Sequence, residues 1–149
     1  MRELSDATKA FLAAIASPDV AVRQAALKRL PPAQDAADAL PGLAELMAGK
    51  DPAVAKAAKA AMEAVTHRAL APPPGKDRPD RAARERAAAA LTEVVDSSHP
   101  RMVRAHALFL LGFAGDGAQH EKALALLEKD PEVGEDARMA RQRLRSVRY

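Results

Sequence analysis

The chain has 149 residues, with 23 basic and 20 acidic side chains and no cysteine. This length is sufficient for one domain with a hydrophobic core. The absence of cysteine excludes disulfide bonds and thiolate metal sites, and the near balance of charge does not by itself indicate a polyanion-binding protein.

The composition favours an all-helical protein. The chain contains 37 alanines but only three phenylalanines, one tyrosine and no tryptophan. Alanine is the best helix former, and its small side chain lets helices pack closely while burying little area. The core of such a protein therefore needs many helix contacts rather than a few large anchors.

No segment approaches the roughly 18 consecutive apolar residues of a membrane-spanning helix. The short apolar run from Phe11 to Ala16 fits the first helix of a repeat. Glu3 and Asp6 stand where a signal peptide carries basic residues. We therefore expect a cytoplasmic protein that does not enter a membrane.

The first predicted hairpin has a helix from about Asp6 to Ala16, with Ser5 as its N-cap. Its second helix ends before Pro31, because the pair of prolines that starts there cannot continue a helix.

The second predicted hairpin spans 40–65. Asp51 is the expected N-cap of its second helix, since a carboxylate accepts hydrogen bonds from the free amides of the first turn. Pro41 leaves two starts open for its first helix: near Asp38 with the proline in the first turn, or near Asp35 with a kink at the proline.

A proline-rich insertion, 68–79, interrupts the pattern, and its three consecutive prolines predict an extended loop. It is either a surface insertion between repeats or a docking segment. Two more hairpins follow; Asp80 starts the first, and Asp130 and Pro131 open the last helix. In one domain, 1–149, the predicted repeats are approximately 5–30, 35–67, 80–114 and 117–147.

The second helices share one register. Val22, Val54 and Val103 are each followed four residues later by alanine and eight residues later by leucine or methionine, and Val133 follows this pattern in part. The valines are 32, 49 and 30 residues apart, and the long interval contains the insertion. A period of about 30 residues with two helices per unit predicts an α-solenoid.

Two stretches carry a family resemblance: Leu40-Pro41-Gly42-Leu43 followed by Asp51-Pro52, and Val103-Arg104 leading to Leu110-Leu111-Gly112. They resemble HEAT repeats, and the resemblance covers nearly the whole chain. It implies an all-α solenoid of about four hairpins, or about eight helices, whose second helices line a concave face. It implies no single function, because such repeats serve many tasks.

The sequence offers little for catalysis. The spacing of the four histidines places no set of ligands at one point. No nucleophile and base share one helical face, and there is no glycine-rich phosphate loop. We therefore expect no enzyme, no metal and no cofactor.

The resemblance places several basic residues on the surface lined by the second helices. We predict a non-catalytic interaction or scaffold module that binds another protein, for instance an acidic one, on that surface. The alternative is nucleic-acid binding through phosphates, and the oligomeric state stays open. The candidate partner-binding residues are Arg23, Lys56, Lys59, Arg101, Arg104, Arg138 and Arg145, with Leu108 as an apolar anchor.

The basic residues of the last helix have a simpler explanation, which is that they stabilise this helix. Acidic residues are concentrated in 128–136, and arginines are concentrated at the end of the chain. The helix dipole favours this distribution, by about 0.3–1 kcal/mol per charge.

Overall fold

The computed structural model describes residues 3–146, and within that range the chain is all-helical with no strand. Eight of its α-helices have at least eight residues. The helices are α1 (Asp6–Ile15), α2 (Val20–Lys28), the short α3 (Ala33–Ala36), α4 (Leu40–Met47), α5 (Pro52–Leu70), α6 (Arg81–Val95), α7 (Arg101–Ala114), α8 (Gly117–Leu127) and α9 (Gly134–Ser146).

Helices α1, α2, α5 and α6 each begin at a polar side chain that accepts from a backbone amide of the first turn. These N-caps are Ser5, Asp19, Asp51 and Asp80. Asp51 Oδ1 accepts from the amides of Ala53 and Val54, at 2.9 and 3.3 Å. Such a cap satisfies donors that the helix itself leaves unpaired.

Consecutive helices pack as hairpins: α1 with α2, α4 with α5, α6 with α7, and α8 with α9. The predicted all-α fold is confirmed. The predicted end of the last repeat, at 147, lies outside the described residues.

Alanine fills much of the core. Ala58, Ala87, Ala107 and Ala137 are fully buried, one in each of α5, α6, α7 and α9. Leucine, valine and methionine side chains fill the spaces between the helices. Because the alanines present so little bulk, stability depends on a large number of close helix contacts.

Two predicted boundaries shift. Helix α5 continues to Leu70, which is three residues into the predicted loop, and the extended backbone of Ala71 ends it. The steric demand of Pro72 on the preceding residue explains this end point. The last helix begins at Gly134 rather than at Pro131, after a turn in which Asp130 Oδ1 accepts from two backbone amides.

The start of the second hairpin follows the first of the two options that Pro41 left open. Helix α4 begins at Leu40, with Pro41 in its first turn. The three-residue 3-10 helix Ala37–Ala39 joins it to α3, so the chain changes helix type before the proline instead of kinking at it.

Three of the four valines that share this register in the sequence are buried in the structure. Val54, Val103 and Val133 are buried, but Val22 is exposed. In α2 only Ala26 is buried, so its valines face away from the core.

Candidate functional site

Helices α2, α5, α7 and α9 form a row in which each helix packs against the next. We call them the second-helix row, because each is the second helix of its hairpin. All the candidate partner-binding residues belong to these four helices.

Two of the predicted basic residues present free charge to the solvent. Lys56 and Lys59 lie on α5, and both are exposed. Neither ammonium group forms an ion pair with a residue of the range 3–146. These lysines are therefore available to an acidic partner.

Arg104 instead holds the last two hairpins together. Its Nε–H donates to the backbone carbonyl of Val95 at 2.8 Å, and its two terminal nitrogens lie 3.4 Å from Asp130 Oδ2 and 3.5 Å from Glu132 Oε1. Only 13% of the Arg104 side chain is exposed. The expectation that Arg104 is a surface contact is corrected, because its hydrogen-bonding groups are engaged within the chain.

Arg101 also reaches the loop between α8 and α9. Its Nε–H donates to the carbonyl of Glu132 at 2.9 Å, and its Nη2 lies 3.1 Å from Asp136 Oδ2. Arg101 remains exposed, so it can contact a partner while part of its charge is neutralised.

The remaining predicted arginines are each bonded locally. Arg23 donates to the carbonyl of Ser17 at 2.8 Å. Arg138 pairs with Glu135 one turn away in α9, which raises the pKa of Arg138 and lowers that of Glu135 through their hydrogen bond.

Arg145 pairs with Glu121 of α8, with 2.7 Å between Nη2 and Oε1. This hydrogen bond raises the pKa of Arg145. The contact ties the end of α9 to α8, so the charge of Arg145 is also matched within the chain.

Leu108 is fully buried, and its proposed role as an apolar surface anchor is wrong. Helix α7 packs against α5, α6 and α9. Other helices therefore cover more of its surface than the apolar spacing in the sequence predicts. Leu108 falls inside that covered surface and belongs to the core.

Apart from Val20 and Val22 on α2, the large exposed apolar residues in the described part of the row lie on α7 and α9. Met102 is 70% exposed, Phe109 44% and Met139 49%. Ala105 lies between Met102 and Phe109 on one face of α7, at the spacings of three and four that bring side chains together. Ala105, Phe109 and Met139 line the same shallow pocket of about 60 Å³. We call Met102, Ala105, Phe109 and Met139 the α7–α9 patch.

Arg143 borders this patch and stacks on its aromatic side. Its guanidinium carbon lies 4.8 Å from the ring centre of Phe109 and 4.6 Å from that of Phe113. The two rings meet edge to face, with 5.3 Å between their centres. A cation over aromatic faces is attracted by their quadrupoles, so these contacts hold the exposed ring of Phe109 in one orientation.

A buried histidine lies behind the patch. His106 stacks on Phe109 with 6.2 Å between ring centres, and its Nε2 is 3.8 Å from Glu63 Oε1. That nitrogen finds no hydrogen-bond partner among the described residues. Burial lowers the pKa of His106 below its ordinary value of 6.5. The charge of Glu63 opposes this shift, the charge of Lys59 adds to it, and a hydrogen bond with the backbone of Lys59 opposes it.

Sequence reasoning missed the α7–α9 patch. It chose Leu108 as the apolar anchor of α7 and gave no role to Met102, Phe109 or Met139. The available signal was the spacing of Met102 and Phe109, which are two helical turns apart on one face of α7.

Within residues 3–146 there is no group of three or more histidine, aspartate or glutamate side chains that could hold a metal ion. No helix in the same range combines the length and apolar character needed to cross a bilayer. Searches against protein-family models, curated proteins and solved structures found no significant match.

Proposed function

We propose that the four hairpins form a short HEAT-like α-solenoid and that the chain is a non-catalytic protein-interaction module. Its partner docks on the second-helix row, centred on the α7–α9 patch. The observation that carries this proposal is the exposure of Phe109 and Met139 around one pocket between two packed helices, with Met102 exposed two turns away on the same face of α7. The successive packing of the row's helices supports the solenoid.

The chemistry of the patch suits a protein interface. Aromatic residues, methionine and arginine are enriched at the centres of interfaces. Phe109, Met139 and Arg143 meet in one shallow pocket. Methionine adapts its shape to a partner, whereas the ring of Phe109 is held by Arg143 and Phe113, so less conformational entropy is lost on docking.

The charges beside the patch favour a partner with acidic side chains around its apolar anchor. Lys56 and Lys59 are exposed on α5, and α5 packs against α7. Arg101 is exposed one residue before Met102. An amphipathic helix with a leucine or phenylalanine anchor and flanking glutamates fits this arrangement, and the lysines accelerate its approach.

The same charges argue against nucleic acid as the ligand. Four of the seven predicted basic residues already bond to carboxylates within the chain, namely Arg101, Arg104, Arg138 and Arg145. Binding through phosphates relies on several cations that are free to neutralise them.

The proposal is tested by affinity capture from a lysate, with half of the lysate treated with nuclease. The patch variant carries Met102→Glu and Met139→Glu, which place charge in the proposed interface at exposed positions. The matched control carries Ala10→Glu and Ala13→Glu, which add the same charge at two exposed apolar residues of α1, outside the row.

We expect one protein to be retained by the wild type and the control in both halves of the lysate, and lost from the patch variant. Equal retention by the patch variant would remove the α7–α9 patch from the interface. Loss of the bound material after nuclease treatment would show that the ligand is a nucleic acid rather than a protein.

A further inference from the structure

A second apolar surface lies between α6 and α8. Neither helix belongs to the second-helix row, although one lining residue, Leu111, is on α7. This surface is a cleft of about 270 Å³. The buried side chains of Leu111 and Leu124 line its interior, and Leu126 lines it while remaining 62% exposed. Val95 and Leu127 complete its apolar wall.

Small side chains keep the cleft open. Thr92 of α6 and Ala123 of α8 both line it, and neither is large enough to fill it. The hydroxyl of Thr92 donates to the carbonyl of Ala88 at 2.8 Å, so this polar group already has a partner. A mostly apolar cleft of this kind gains more from an apolar guest than from water.

A carboxylate stands at the edge of the cleft. Asp96 lines it and is the residue that ends α6. The carboxylate forms no ion pair within the range 3–146. A negative charge at the C-terminal end of a helix is repelled by the helix dipole, and a bound cation would remove that repulsion.

We propose that this cleft docks a segment of another protein that inserts one bulky apolar side chain and places a lysine or arginine on Asp96. The cleft is smaller than the roughly 300 Å³ at which pockets for drug-sized ligands begin, so a single side chain suits it better than a whole small molecule. The carboxylate supplies the charge complementarity that selects a basic residue beside the anchor.

This site is independent of the α7–α9 patch, and its partner has the opposite charge preference. The patch lies beside Lys56 and Lys59, whereas the cleft lies beside Asp96. The module would then bring two different segments together, one acidic and one basic.

The test uses a defined probe, an alanine-based helical peptide with a phenylalanine and an arginine four positions apart, which places both on one face. It is titrated into isotopically labelled protein and followed by amide chemical shifts. The variants are Leu126→Glu and Asp96→Arg, both at exposed positions. The controls are Glu45→Lys, an exposed carboxylate on α4, and Met102→Glu in the patch.

We expect saturable shifts around Leu111, Ala123 and Leu126, and about tenfold weaker binding by each cleft variant, which corresponds to about 1.4 kcal/mol. Both controls should bind as the wild type does. A second peptide, with glutamate in place of the arginine, should regain affinity for Asp96→Arg.

Three results would overturn the proposal. The first is the absence of saturable shifts at the cleft, and the second is equal binding by Leu126→Glu. The third is equal affinity for the arginine and glutamate peptides, which would identify the cleft as a site for apolar groups alone. Because Met102→Glu leaves the cleft intact, loss of the patch function and loss of the cleft function are distinguishable.

Discussion

Arg104 offers the sharpest test of how the last two hairpins are joined. Its guanidinium contacts the carbonyl of Val95 at the end of α6 and two carboxylates of the loop between α8 and α9, at 2.8, 3.4 and 3.5 Å. Replacing Arg104 by methionine removes all three contacts. It retains an unbranched apolar side chain, so packing along the stem is largely preserved.

The expected loss of stability is about 2–3 kcal/mol. A hydrogen bond from a charged donor is worth about 1.5–3 kcal/mol, and here the side chain is largely buried. The two ion pairs add little, because Asp130 and especially Glu132 are partly in water.

Urea unfolding measures this loss. With a slope of about 2 kcal/mol per molar urea, the midpoint should fall by about 1–1.5 M. The control Lys56→Met removes an exposed cation from α5 and should change the free energy of unfolding by less than about 0.5 kcal/mol. Equal midpoints for Arg104→Met and Lys56→Met would refute the structural role of Arg104 and return it to the candidate surface contacts.

Three further substitutions probe other parts of the molecule. Leu108→Ala should lower the free energy of unfolding by about 2–5 kcal/mol, because it leaves a cavity at a fully buried site; a loss below about 1 kcal/mol would mean that the residue is exposed after all. Asp51→Ala should cost about 1 kcal/mol in thermal unfolding through the lost N-cap of α5, whereas Asp51→Asn should cost less. Burial lowers the pKa of His106, so the unfolded chain binds its proton more readily; stability should therefore fall as the pH drops below 6.5. His106→Gln should flatten that fall, and an unchanged pH profile would contradict it.

The sequence predicts the local features of this fold well. Apolar periodicity and caps such as Ser5 and Asp51 depend on residues within one or two turns, and both caps are present in the structure. The packed helix pairs, such as α4 with α5, also join helices that are neighbours in the sequence, so they depend mainly on local features of this kind.

The candidate site could be predicted only in part, because pairing and exposure depend on distant residues. Arg104 meets Asp130 across 26 positions, and Arg101 meets Asp136 across 35. Periodicity groups Leu108, Phe109 and their neighbours by face, but it does not tell which face of α7 another helix covers. The structure buries Leu108, which the sequence analysis named as an apolar anchor, and exposes Phe109, to which it gave no role.

The role of the α7–α9 patch as a partner-binding surface is tested most directly by one affinity measurement. The partner captured by the wild-type protein is titrated calorimetrically against the wild type and against Phe109→Ala, with circular dichroism confirming that both are folded. An exposed aromatic residue at the centre of an interface contributes about 2 kcal/mol or more. The dissociation constant should therefore rise by about thirtyfold or more. A dissociation constant unchanged by Phe109→Ala would contradict the proposal and place the partner on another surface.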